Sequence, residues 1–353
     1  MPTLLGLNTD ELRALAQREG QAAYRGDQIA TWLYKYGVDS FSLMNNLPEP
    51  FRARLEHSHQ VGRAHVITEQ RSKDGTVKLL LGLHDGATVE TVGLPYADRM
   101  SCCVSTQVGC PIGCVFCATG LSGFARNLTA GEMVGQVLAV QEAAEVKAMA
   151  SNRSNRIDHV TFMGMGEPLL NYEATLKATH LLNREVGIAM RHLTISTAGL
   201  VPEIRRLAQE QLQLTLAVSL HAPTDELRSQ LMPGMTMWSV AEIIEACHEY
   251  VMWTRRRVTF EYCLLDGIND GVAAAQELAH ILHGLNCHVN LISFNPIGGS
   301  RYRPPPRERV TAFREVLESA GIQVTQRVER GSDIDAACGQ LRQRADGTGL
   351  VSP

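Results

Sequence analysis

The spacing of apolar residues changes period along the chain. Over the first sixty residues it is helical: Asn8 precedes Thr9-Asp10-Glu11, with Glu11 at the capping-box position, and Leu12, Leu15 and Ala16 follow at helical intervals. Ile29, Leu33, Tyr34 and Tyr36 predict a second helix closed by Gly37, and Phe51 and Leu55 anchor a third segment after Pro50. Residues 64–94 alternate instead, with Asp74-Gly75 and Asp85-Gly86 as turn signals, which predicts a three-stranded meander. From residue 101 to about 330, seven β-rich runs (CCVSTQV, HVTFMGMG, HLTIST, LTLAVSL, VTFEYCLL, HVNLISF, IQVTQRV) alternate with helical stretches. That alternation predicts an α/β fold of six or seven parallel β/α units, a full or partial barrel. No G-x-G-x-x-G opens the first unit, which argues against a dinucleotide fold. The division expected is 1–60 helical accessory region, 61–100 meander, 101–330 barrel and 331–353 C-terminal loop and tail, frayed after Arg342.

The length of 353 residues and 44% hydrophobic content allow a large core. The formal net charge of −4 lacks the basic excess common in nucleic-acid binders, so any RNA contact must come from local patches. Candidates are Arg255-Arg256-Arg257 and the stretch Arg301-Tyr302-Arg303-Pro304-Pro305-Pro306-Arg307, whose aromatic could stack on an unpaired base. Each patch taken alone reads as a solvated loop. Tyr24, Arg25, Lys35 and Arg52 leave the helical region open to a binding role, although composition favours a small packed bundle. No signal peptide and no run of eighteen apolar residues is seen, so no membrane partner and a cytoplasmic location are expected. In that compartment nine cysteines suggest metal ligands, catalytic thiols or buried thiols rather than disulfides.

The most specific chemistry lies in Gly109-Cys110-Pro111-Ile112-Gly113-Cys114-Val115-Phe116-Cys117, a C-x3-C-x2-C loop after a predicted strand. Three thiolates can bind three irons of a [4Fe–4S] cluster and leave the fourth open. Structural zinc would want a second ligand pair, and none is evident. Strand C-terminal ends, where a barrel places its site, carry Gly166 and Glu167 of MGMGEP, Ser196, Ser219-Leu220-His221 and Asn295. A lone His221 would be a satisfied structural imidazole.

The cysteine spacing resembles that of the radical S-adenosylmethionine (SAM) superfamily. Further motifs, CVSTQVGCPIGCVFCATG, RNLTAGE, MGMGEPLLN, SLHAP, FNPIGG and Gly331-Ser332-Asp333-Ile334-Asp335-Ala336-Ala337-Cys338-Gly339-Gln340, resemble the RlmN/Cfr family of RNA adenosine methyltransferases over essentially the whole chain. MGMGEP and GFARNLTAGE look more like the RlmN branch. The resemblance implies a partial (β/α)6-type barrel, a [4Fe–4S] cluster on Cys110, Cys114 and Cys117, and two SAM molecules per turnover, with the strand-end residues above binding SAM. It implies that Cys338 is methylated and then carries the radical carbon to adenine, and that Cys103, seven residues before the cluster, resolves the adduct. Strand alternation lets only one of Cys102 and Cys103 serve. Glu90 in TVETV maps to the proton acceptor, with a solvated strand glutamate as the alternative. Cys247, Cys263 and Cys287 read as small buried hydrophobes. The implied substrates are 23S rRNA and tRNA, methylated at adenine C2, and an electron-donor protein is needed. The alternatives are C8 methylation and a non-catalytic RNA-binding module with a structural metal.

Overall fold

The computed structural model describes residues 1–148 and 156–341; the frayed tail expected after Arg342 lies outside them. The first fifty-eight residues form three α-helices, Thr9–Arg18, Tyr24–Ala30 and Glu49–Ser58. The first begins at the Asn8–Glu11 capping box: the Glu11 N–H donates to Asn8 Oδ1 at 2.8 Å and the Asn8 N–H to Glu11 Oε2 at 2.7 Å. The second runs on as a π-turn over Thr31–Lys35, and Gly37 closes it with φ +62°. The third starts at Glu49, one residue before Pro50, which occupies the first turn where its missing N–H costs nothing. Leu12, Ile29, Leu33, Phe51 and Leu55 are buried between these helices.

Twelve strands follow: β1 (His65–Arg71), β2 (Val77–Gly82), β3 (Thr88–Pro95), β4 (Met100–Cys103), β5 (Gln107–Gly109), β6 (Phe124–Asn127), β7 (Ile157–Phe162), β8 (Leu193–Thr197), β9 (Thr215–Ser219), β10 (Val258–Leu264), β11 (Cys287–Ser293) and β12 (Gln323–Gln326). Ten form one sheet in the order β1-β2-β3-β4-β7-β8-β9-β10-β11-β12, and β5 and β6 make a separate hairpin. From β4 to β12 every neighbouring pair in the large sheet is parallel, the seven-strand core of a partial barrel. Among the described residues its edge strands β1 and β12 do not pair with each other.

The meander β1–β3 extends the sheet antiparallel beyond β4. Its strands fall where alternation placed them, but alternation does not describe their burial. All of β2 and the middle of β3 are buried, while β1 is largely exposed. The cause is tertiary: helix Ala130–Ala148 packs on β2 and β3, and the C-terminal segment comes back to their ends. No helix among the described residues is long and apolar enough to cross a membrane.

The open seam of the barrel is crossed by residues 330–341 rather than by strand pairing. The Gly331 N–H donates to Asp74 Oδ2 at 3.0 Å, the Lys73 N–H to Asp333 Oδ2 at 3.3 Å, and Lys78 Nζ to the Asp335 carbonyl at 3.3 Å. Farther on, the Ala118 N–H donates to the Gly339 carbonyl at 2.8 Å and Thr119 Oγ1 to the Leu341 carbonyl at 2.6 Å. The strap thus ties the β1–β2 turn to the short helix Ala118–Leu121 behind the cysteine loop.

Candidate active site

The cysteine loop leaves β5 at Gly109, whose φ of +78° and close approach to the Gly123 carbonyl, 2.0 Å from where a Cβ would stand, admit no side chain. Backbone bonds then fix the loop. The Cys110 N–H donates to Gly123 O, the Cys117 N–H to Cys114 O, the Val115 N–H to Leu231 O and the Gly234 N–H to Ile112 O. Burial pushes the Cys110 thiol up to about 12 and the Cys114 thiol well above its usual range. A bound cation reverses that preference, because thiolates are the ligands. Among the described residues no three His, Cys, Asp or Glu side chains meet around a point that would hold a single metal ion. A [4Fe–4S] cluster takes one thiolate on each of three irons, which the three cysteines of this one loop can supply, whereas structural zinc would want a fourth protein ligand.

Two of the strand-end residues, Glu167 and His221, lie close to this loop. Glu167 follows β7; its Oε2 accepts from the Ala198 N–H beyond β8 at 2.7 Å and its Oε1 from the Leu169 N–H at 3.0 Å. Burial raises its carboxyl to about 7. Gly166, at φ +100°, brings the backbone against Gln107, where a Cβ would lie 2.6 Å from Gln107 Cβ. Ser196 is the next-to-last residue of β8 and Ser219 ends β9. Leu220 is fully buried, so only its backbone could face a ligand. His221 adopts a left-handed φ of +59°. Its Nδ1 accepts from the Cys263 N–H at 2.9 Å, and its ring meets Phe116 of the cysteine loop edge-on at 4.8 Å. Burial lowers its pKa to about 3, so the imidazole is neutral and braces the loop.

Cys103, Asn295 and Cys338 line one cavity of about 140 Å³ together with Cys117, Met163, Tyr96, Arg327 and Arg330. Gly166, Glu167, Ser196, Ser219, Leu220 and His221 lie outside its lining. Cys103 pairs with Val92 and shares its face toward the cavity. Cys102 faces the other way, with its sulfur 3.7 Å from Thr91 Oγ1. Burial raises the Cys103 thiol to about 11, with the nearby Cys338 adding to the rise. Cys338 is solvent-exposed, yet the chamber walls surround it; burial raises its pKa and Arg327 works against the rise. Asn295 Nδ2 donates to the Cys338 carbonyl at 3.0 Å, so this side chain holds the strap. Glu90, 5% exposed, is not a solvated strand glutamate. It shares a face of β3 with Val92, and its Oε1 is 3.2 Å from Lys78 Nζ.

Sequence reasoning missed several residues here. Lys78 sits in the apolar run VKLLLG and Glu261 in VTFEYCL; a charge inside a buried strand is itself a signal, because it is costly unless paired. Glu261 accepts from Asn290 Nδ2 at 2.9 Å. Arg327, just past β12, is held charged against burial by Cys338, Glu261, Tyr96 and Cys103. Arg228 is buried and donates to the Ala198 and Met235 carbonyls. Cys263, read as core, is buried close enough to Cys338 and Cys117 to feel their charge. RNLTAGE is a brace: Thr129 and Glu132 form a capping box, and Arg126 pairs with Glu132 and Asp85. The basic patches separate. Arg301–Arg307 follows β11 at the chamber end, whereas Arg255–Arg257 precedes β10 at the opposite end.

Comparison with known proteins places these features. Residues 104–279 match the Radical SAM superfamily and residues 3–61 the ribosomal RNA large subunit methyltransferase N-terminal domain. A protein of Thermosynechococcus vestitus named probable dual-specificity RNA methyltransferase RlmN is 48% identical over 96% of this chain and 98% of its own. Its namesake in Gloeobacter violaceus is 49% identical over 97% and 95%. The crystal structure of a radical SAM methyltransferase from Sphaerobacter thermophilus superposes with a TM-score of 0.92 at 46% identity, covering 97% of this chain and 99% of that one.

Proposed function

The chain belongs to the RlmN family of radical SAM RNA methyltransferases, and we propose that it methylates adenine C2 in 23S rRNA, at the peptidyl transferase centre, and in tRNA, within the cytoplasm. Cys110, Cys114 and Cys117 would hold a [4Fe–4S] cluster, which together with SAM would supply a hydrogen-abstracting 5′-deoxyadenosyl radical. Gly166, Glu167, Ser196, Ser219, Leu220 and His221 hold SAM or brace the loop beneath it, and Asn295 positions the strap.

Carbon C2 of adenine is electron-poor and a weak nucleophile, so it does not attack a sulfonium methyl group directly. Cys338 takes the methyl group first: its sulfur attacks one SAM, S-adenosylhomocysteine leaves and the thiol proton goes to solvent. One electron from the electron-donor protein would cleave a second SAM to methionine and the 5′-deoxyadenosyl radical, which takes a hydrogen atom from that methyl group and leaves as 5′-deoxyadenosine. The resulting carbon radical on Cys338 adds to C2. Glu90 accepts the C2 proton as the adduct returns one electron to the redox chain that supplied it for SAM cleavage. Cys103 then attacks the Cys338 sulfur, a disulfide forms, the carbon–sulfur bond breaks, and the freed carbon takes a proton to become the methyl group. An electron-donor protein reduces the disulfide and restores both thiols. The helical region 1–60 serves as an accessory RNA-holding unit.

The observation that carries this reading is the shared cavity of Cys103, Cys338 and Cys117, with Cys102 turned away. A non-catalytic module would not need two thiols facing each other above a cluster loop. Nucleoside mass spectrometry of RNA from a deletion strain tests it: 2-methyladenosine should disappear from rRNA and tRNA. Loss of 8-methyladenosine instead would move the reaction to C8, and unchanged nucleosides would sink the reading.

A further inference from the structure

The cavity mouth carries cationic charge that the proposed chemistry does not use. Tyr96 and Arg330 line it, as does the exposed Val328. The Arg330 guanidinium lies over the Tyr96 ring at 4.6 Å, and Arg99 lies over the same ring at 4.3 Å. The two arginines come from distant parts of the chain, Arg99 from the turn between β3 and β4 and Arg330 from the start of the strap. The Tyr96 N–H donates to the Arg99 carbonyl at 2.8 Å and closes that turn. With two guanidinium groups on it, the ring is a mount for cations and not a platform for a base.

Two carboxylates lie near these arginines, Asp98 beside Arg99 and Glu329 in the same cavity wall as Arg330. The Arg330 Nε is buried without a hydrogen-bond partner. Arg99 is 3.3 Å from Asp98, but both are exposed, and such pairs are weak. The chain as a whole is net negative, so its overall field repels a polyanion, which must be gripped locally.

We infer that Arg99 and Arg330, mounted on Tyr96, grip the RNA phosphodiesters flanking the adenosine whose base enters the chamber. This rests on the proposed RNA substrate. A base taken out of its stack leaves its backbone at the entrance, where cations fix its register without reading sequence. The two arginines are positioning residues: they touch the backbone and not the reacting atoms.

The test uses the reconstituted holoenzyme and an in vitro transcribed 23S rRNA fragment spanning the peptidyl transferase centre, with binding measured over a series of potassium chloride concentrations. Arg99→Gln and Arg330→Gln should each weaken binding about tenfold and lower the log–log salt slope by roughly 0.7–0.9, the loss of one phosphate contact. The KM for RNA should rise while kcat at saturating RNA stays within about twofold. Arg99→Lys and Arg330→Lys should restore most of the slope, since charge suffices for a phosphate. Intact-mass detection of the methyl group on Cys338, a step that needs no RNA, reports whether each variant is properly assembled; Arg99, on an exposed turn, supplies a variant that leaves the strap alone. An unchanged salt slope in Arg99→Gln, or a fall in kcat with KM unchanged in both glutamine variants, overturns the inference. Wild-type binding without methylation would defeat the proposed reaction while leaving the grip measured.

Discussion

The two ends of the barrel have similar residue types and opposite fates. At the N-terminal ends of the strands, polar groups satisfy one another. His159 and His192 stack at 4.1 Å beside Asp158, Arg256 Nε donates to the Leu214 carbonyl and Arg257 donates to Gln323. At the C-terminal ends, cysteines, arginines and a glutamate converge on a cavity where Arg330 Nε is buried without a hydrogen-bond partner. Composition cannot tell the ends apart. Strand direction can, because parallel strands gather their following loops at one end.

The sharpest way to break this comparison is to remove the strap thiol. Cys338→Ala should reduce RNA methylation below detection by nucleoside mass spectrometry, while the anaerobic enzyme still binds iron and still cleaves SAM. Loss of iron as well would make Cys338 part of the cluster site.

Next in size is the contrast between adjacent cysteines. Cys103→Ala should stall turnover as a covalent RNA–protein adduct, visible as a band shift that ribonuclease collapses. Cys102→Ala, on the other face, should turn over normally and cost about 1 kcal/mol of stability through lost packing. Normal turnover by Cys103→Ala would remove its resolving role.

A smaller effect concerns Glu167, whose carboxyl rises from an ordinary 4.5 to about 7 on burial. Between those values the unfolded chain gives up the proton that the folded chain keeps, so stability falls as pH rises through this window and is level above it. In cluster-free protein, urea unfolding at pH 5, 6 and 7 should show a steeper decline for wild type than for Glu167→Gln. Equal slopes would mean that Glu167 is ionised throughout.

Smallest of all, Arg256→Gln and Arg257→Gln at the far end should change the KM for RNA by less than about twofold, as expected for solvated loop charges. A larger rise would give the N-terminal end a share in RNA binding.

What could be read from the sequence follows from how local each feature is. The Asn8–Glu11 cap, the Asp-Gly turns, the β/α alternation and the C-x3-C-x2-C loop each depend on a few neighbouring residues, and all appear where expected. The choice between Cys102 and Cys103 was not legible, because it depends on which face of β4 the cavity occupies. Periodicity alone permits either reading of Glu90, and only the resemblance favours the proton acceptor, because its burial beside Lys78 is tertiary. The docking of Gly331 on Asp74 joins residues 257 apart and leaves no periodic trace.

That docking also sets an order in time. A ribosome delivers the chain N-terminus first, so every strand of the sheet and all three thiols of the loop emerge before residues 330–341. Until then Ala118 and Thr119 lack their bonds to Gly339 and Leu341. The strap is therefore the last wall of the chamber to be made, after every strand that carries another of its lining residues.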